Sequence, residues 1–199
     1  MDSKTLLIIK ESYSRLKNLK LVEIETGIKW QTVYWHLKKE GVPITGDKAR
    51  YGSATDRLAV FGEQLFQRLV PDAIDNNELK WQSSIDFSVY GVKVDIKTSR
   101  LMPAGRNSRG KSFSARWCYC ISKQQDIADY FVLLALPEND DEPRHIFLLP
   151  KELATAKTTI SIPLTMKSKW ADYKVSAQEL QQFFTAYKKH QAKCTTHRA

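Results

Sequence analysis

Asp86 and Asp95 are separated by eight residues, with Tyr90-Gly91 at the midpoint and Lys97 two positions beyond the second aspartate. Apolar and polar residues alternate on both sides. Ile85, Phe87 and Val89 interleave with Asp86 and Ser88; Val92, Val94 and Ile96 interleave with Lys93, Asp95 and Lys97. Two period-two runs joined by a two-residue turn predict an antiparallel hairpin. With Tyr90-Gly91 as its loop, Val89 faces Val92, and pairing steps outward until Asp86 lies opposite Asp95. Directly opposed residues have Cβ atoms roughly 4.5–5.5 Å apart, and like charges there cost roughly 0.2–1 kcal/mol. A divalent cation between the carboxylates offsets that repulsion. Lys97 leaves the same face of the same strand, where an ammonium can polarise a water or stabilise developing charge. The same residues also suit a solvated outer face, and a register slip would part the two aspartates.

The elements needed to hold such a hairpin are legible around it. A helix is expected from about Ser53 to Leu69, with Leu58, Phe61, Leu65 and Leu69 as its core stripe and Pro71 as its stop. Strands are expected over residues 80–89, 92–99, 114–122, 130–136 and 145–149. A closing helix starts at the capping box Ser176-Ala-Gln-Glu179 and runs through Leu180, Phe183, Phe184 and Tyr187. Helix, hairpin, strands and helix in that order predict an α/β core.

Asp86, eight intervening residues and Asp95-Ile96-Lys97 resemble the motif of the PD-(D/E)XK nuclease superfamily, over a stretch covering residues 53–150. Ile85 stands where the family name has proline. The resemblance implies a restriction-endonuclease-like fold, a mixed sheet flanked by helices. It further implies that Asp86 and Asp95 hold Mg²⁺, with Mn²⁺ able to substitute, and that the Ile96 backbone carbonyl adds a ligand. Lys97 would position or activate the attacking water. Members usually contribute a glutamate from the preceding helix, and Glu63, mid-helix among apolar residues, matches that place as an outer metal or water ligand.

The first 45 residues read differently. Leu6, Leu7, Ile9, Tyr13 and Leu16 recur at helical spacing, followed by a short helix from Leu21, Gly27, and a longer helix from Ile28 to Lys39. A short helix, a glycine turn and a longer helix form the helix-turn-helix pattern. Ile24, Ile28, Val33 and Leu37 are expected to pack the pair. Lys29, Gln31, Thr32, Trp35, His36 and Lys39 are left outward, where such modules read base edges. The segment resembles DNA-binding helix-turn-helix modules; a helical cap or dimerisation element is the other reading. Residues 41–51 read as a linker, so residues 1–45 form a helix-turn-helix module and 46–199 a nuclease core with a C-terminal helix.

Charge fits a polyanionic partner. The 199 residues carry 31 Lys and Arg against 22 Asp and Glu, a net charge of +9, with the acidic residues gathered centrally. From Ile96 to Gln125 there is no carboxylate but seven cations: Lys97, Arg100, Arg106, Arg109, Lys111, Arg116 and Lys123. Pro103 to Lys111 reads as a basic loop, and Arg100, Arg106, Arg109 and Lys111 as phosphate contacts. Trp117 and Tyr119 read as core, and His145 as structural. The three cysteines, Cys118, Cys120 and Cys194, make neither a disulfide framework nor a zinc site. No apolar run approaches the ~18 residues of a membrane span, and a cytoplasmic protein is expected.

Together these features predict a Mg²⁺-dependent endonuclease for double-stranded DNA, cutting both strands at specific sequences in the manner of restriction or intron-homing enzymes. One hydrolytic centre per chain makes a homodimer the simplest route to a double-strand cut. The alternatives are a non-catalytic helix-turn-helix regulator and a Holliday-junction resolvase.

Overall fold

A computed structural model describes residues 2–44, 52–79, 83–106, 110–124, 126–139, 141–154 and 157–196. The chain divides into two compact units, one comprising Met1–Arg57 and Asn76–Ser83, the other Leu58–Asp75 and Ser84–Ala199. The sequence places the boundary at residue 45.

The first unit contains α1 (Ser3–Leu16), α2 (Leu19–Thr26) and α3 (Trp30–Lys39). Asp2 caps α1 by accepting from the Thr5 N–H at 2.6 Å, and Asn18 caps α2 by accepting from Lys20 and Leu21. Gly27 ends α2 with φ 71°, a left-handed turn that costs glycine little. Ile9, Tyr13, Val22, Val33 and Leu37 form a common core. Arg15 and Ser12 on α1 both donate to Glu25 on α2, which holds that carboxyl below its usual range.

One expectation about this core fails. Ile24 is 78% exposed, and Val22 takes the buried place. Two residues along a helix turn through about 200°, so the two side chains leave opposite faces. The turn at Gly27 also breaks the i, i+4 relation between Ile24 and Ile28.

The second unit is built on a six-stranded sheet. Its strands are β1 (Ile74–Asp75), β2 (Phe87–Val89), β3 (Val92–Arg100), β7 (Tyr130–Leu136), β8 (His145–Pro150) and β10 (Lys174–Val175), adjacent in that order. Neighbours β3 and β7 run parallel; the neighbouring pairs β1–β2, β2–β3, β7–β8 and β8–β10 are antiparallel. Between β3 and β7 the chain makes β4 (Gly105–Arg106), β5 (Ser112–Phe113) and β6 (Arg116–Cys120). β6 pairs with β9 (Thr159–Pro163) as a separate two-stranded ribbon.

Central β7 is a continuous apolar run with residues 131–136 all buried, as expected for a strand covered on both faces. One face carries Val94, Ile96, Val132, Leu134, Ile146 and Leu148. It packs on Leu65 and Phe66 of α4 (Ala54–Leu69) and on Leu180 and Phe184 of the C-terminal helix (Ala177–Thr196). The opposite face carries Phe131, Leu133, Phe147 and Leu149 under the β6–β9 ribbon, with Ala154 and Trp170. The unit is therefore a mixed α/β fold whose six-stranded sheet is flanked by helices, and N-terminal helices precede it. The second face is covered mainly by a β-ribbon, which the sequence does not suggest.

The expected capping box is present. Ser176 Oγ accepts from the Glu179 N–H at 3.1 Å, and Glu179 accepts from the Ser176 N–H at 2.7 Å. Within the segment expected as a basic loop, Gly105–Arg106 form β4 and pair with β5 just beyond it, while residues 107–109 lie outside the described residues. A Cβ on Gly105 would lie 3.1 Å from the Phe113 ring, so glycine admits that close pairing. The strand expected over 80–89 is confined to Phe87–Val89 among the described residues. No described helix is long and apolar enough to cross a membrane.

Candidate active site

β2 and β3 pair in the register that alternation predicts, Val89 with Val92 and Phe87 with Val94. The ladder stops at Phe87, and Asp86 lies one residue beyond it. There its side chain replaces the missing backbone partner: Asp86 Oδ2 accepts from the Ile96 N–H at 2.8 Å. In an antiparallel pair a residue's N–H and C=O leave the same edge, so the Ile96 carbonyl also points toward the Asp86 edge.

Alternation along β3 sends Val94, Ile96 and Thr98 to the helix face and Asp95, Lys97 and Ser99 to the ribbon face. Asp95 sits level with Phe131 and Lys97 with Leu133, both in the core under the ribbon. Ser99 Oγ accepts from the Cys118 N–H at 3.1 Å and so ties β3 to the ribbon. Asp95 is fully buried. Lys97 Nζ lies 2.6 Å from Asp95 Oδ2, and its side chain retains 22% exposure. Neither Asp95 oxygen has an aligned hydrogen-bond donor among the described residues.

This environment raises the Asp95 carboxyl to about 7. Burial is the main cause, the neighbouring Asp86 carboxylate adds to it, and Lys97 opposes it. A buried carboxylate with an unsatisfied oxygen, a second carboxylate beside it and a backbone carbonyl on the same edge are hard oxygen donors. They fit a Mg²⁺-like cation, which takes one or two carboxylates and keeps several waters.

Glu63 is not brought into this group. It is half-buried on α4, and the described residues contain no set of three or more His, Cys, Asp or Glu placed to share a metal. The helix approaches β3 from the other face. A Cβ on Gly62 would collide with the side chain of Thr98, whose parity is opposite to that of Asp95 and Lys97.

Most of the residues expected outward on and just before α3 are exposed. Lys29, Gln31, Thr32 and Lys39 are exposed, His36 is half-buried, and Trp35 is 66% exposed. Of the basic residues after β3, Arg106 and Lys111 are exposed, and Arg109 lies outside the described residues. Arg100 is paired with Asp141 at 2.5 Å. That acidic partner lies in a loop after β7, so the parallel crossover is what brings it there. Trp117 and Tyr119 are buried, as expected. Trp117 donates to the Leu136 carbonyl at 2.6 Å and stacks edge-on against His145. Cys120 is exposed; its contact with Ser122 holds the thiol below its ordinary range, and the charges of Lys97 and Lys123 add to this. The proximity of Cys120 to Lys97 follows from the ribbon and has no local signal in the sequence.

Comparison with protein-family models and with curated proteins finds no match. Among solved structures, the bacterial homing endonuclease I-Ssp6803I is similar at a TM-score of 0.45 and 16% identity, over 69% of this chain and 99% of that one.

Proposed function

We propose that this chain is a Mg²⁺-dependent endonuclease acting on double-stranded DNA, with a helix-turn-helix module that selects the site. The observation that carries the reading is the convergence of Asp86, Asp95 and Lys97, with Asp95 buried and its oxygens without aligned donors among the described residues. A scaffold strand has little use for that arrangement, since burying a carboxylate is costly even when an ammonium pairs with it. Asp86, Asp95 and the Ile96 carbonyl hold the cation, for which Mn²⁺ can substitute. Bound there, a divalent cation supplies charge against phosphodiester oxygens and makes water a better nucleophile. Lys97 is partly exposed, so its ammonium can reach the attacking water or a phosphate oxygen. Asp86 is held by the Ile96 backbone amide, which fixes one carboxylate while the other changes partners. Glu63 acts, in this reading, as an outer residue rather than a ligand.

Arg106, Arg109 and Lys111 engage phosphates, and Arg100 joins them on leaving Asp141. Gln31, Thr32 and Trp35 on α3, flanked by Lys29, His36 and Lys39, face base edges and backbone. A single hydrolytic centre per chain is completed for double-strand cutting by a second copy, so a homodimer and a near-palindromic site are part of the proposal.

Cleavage of supercoiled plasmid and long genomic DNA tests this. Wild type and Lys97→Ala are compared in Mg²⁺ and in EDTA. Discrete fragments are expected from wild type in Mg²⁺ alone. Salt-sensitive DNA binding without cleavage under every condition would instead mark a DNA-binding regulator.

A further inference from the structure

Lys97 Nζ lies 2.6 Å from Asp95 Oδ2, close against the oxygen that a divalent cation would need. No backbone amide is aligned with either Asp95 oxygen among the described residues, so what the structure sets against this carboxylate is the Lys97 ammonium. An ammonium on a flexible four-carbon stem is a movable point charge. Asp86 is anchored differently, since its Oδ2 accepts from the Ile96 backbone amide at 2.8 Å. Movement of Lys97 therefore changes the partner of one carboxylate and leaves the other in place. With both carboxylates ionised and the ammonium against Asp95, the group presents a formal charge of −1, half of what the carboxylates alone offer a cation. A phosphodiester arriving at the partly exposed side of Lys97 offers the ammonium an alternative anion.

We propose that Lys97 is the resident counter-ion of Asp95, and that divalent-cation binding and phosphodiester binding are cooperative because each draws Lys97 off that carboxylate. This rests on the endonuclease reading above and specifies how its site is loaded. The free protein holds a cation weakly and the DNA-bound protein holds it tightly. Linkage requires the converse, with the cation tightening DNA binding by the same factor. A neutral residue at position 97 leaves both carboxylates open to the cation. It therefore tightens cation binding in the absence of DNA and abolishes the cooperativity.

Calorimetric titration with Ca²⁺, which takes the same oxygen ligands, tests this without reading cleavage. Wild type, Lys97→Met, Lys97→Gln, Lys97→Arg and Asp95→Asn are titrated alone and with a short duplex, each checked for folding by circular dichroism. Wild type is expected to bind Ca²⁺ about tenfold more tightly with the duplex, within the usual range of coupling between sites. The Met and Gln variants are expected to bind about tenfold more tightly than wild type without the duplex and to gain little from it. The Arg variant keeps the charge and should bind Ca²⁺ without the duplex more weakly than the neutral variants do. Neutral variants that bind Ca²⁺ no more tightly than wild type, while Asp95→Asn loses binding, would overturn the counter-ion role and leave the metal site standing. Ca²⁺ binding that Asp95→Asn leaves unchanged would remove the cation from this pair, and the endonuclease reading with it.

Discussion

Asp95 contributes a pH dependence of definite sign. Its carboxyl titrates at about 7 in the folded protein against a reference of 3.8, mainly because it is buried. Between those values the native state keeps a proton that the unfolded chain has released. Its contribution to stability is therefore greatest below pH 4 and declines as pH rises to about 7, by a few kcal/mol at one pKa unit per 1.36 kcal/mol. Asn cannot ionise, so Asp95→Asn in EDTA should melt above wild type at pH 8 and close to it near pH 4. Added Mg²⁺ should raise the wild-type midpoint at pH 8 and leave the Asn variant unmoved. Parallel melting curves across the pH range would sink the assignment. The positions of Asp86, Asp95 and Lys97 are legible from sequence because alternation and hairpin register are local. The burial of Asp95 is not, because its face of the sheet is covered by a ribbon that closes only when β9 pairs with β6.

At the scale of elements, close approaches and turns decide what is readable. Gly62 lets α4 meet β3 at Thr98. Alanine usually improves a helix interior by about 1 kcal/mol over glycine; here overpacking should outweigh that gain, at a cost of about 1–3 kcal/mol. Gly62→Ala should therefore lower the denaturant midpoint, whereas Gln64→Ala on the exposed side should barely move it. Gly27→Ala forces an L-residue to φ near 71° and should cost about 1–2 kcal/mol, with Gly27→Asn better tolerated. The Gly27 turn is plain from sequence, yet a single apolar face drawn straight through that turn puts Ile24 in the core, where it does not belong. The Gly, Pro and Ser content of the basic segment after β3 suggests a loop. Its pairing through Gly105 and Phe113 depends on a close approach that composition does not encode. β9, Thr-Ile-Ser-Ile-Pro, gives little signal because five alternating residues make too short a period to stand out.

At the scale of the whole chain, two compact units carry two separable tasks in the proposed reading. Site choice rests on α3 in the first unit, and hydrolysis rests on β2 and β3 in the second. Alanine substitution of Gln31, Thr32 and Trp35 should lower the ratio of specific to non-specific binding, at about 1–3 kcal/mol for each base no longer read. The same variant should bind Ca²⁺ as wild type does. Lys97→Ala should abolish cleavage while keeping the specificity ratio within about threefold, because its free-energy cost falls on chemistry and not on base readout. Competition of a labelled cut-site duplex against random DNA, at several salt concentrations, measures both ratios. The slope of log K against log salt should also become less negative by about one for each phosphate-binding cation removed, with Arg106 and Lys111 the exposed pair to test. If the α3 variant kept its preference for the cut site and Arg106→Ala or Lys111→Ala abolished it, sequence would be read beside the catalytic strand. The helical unit would then serve some task other than choosing where to cut.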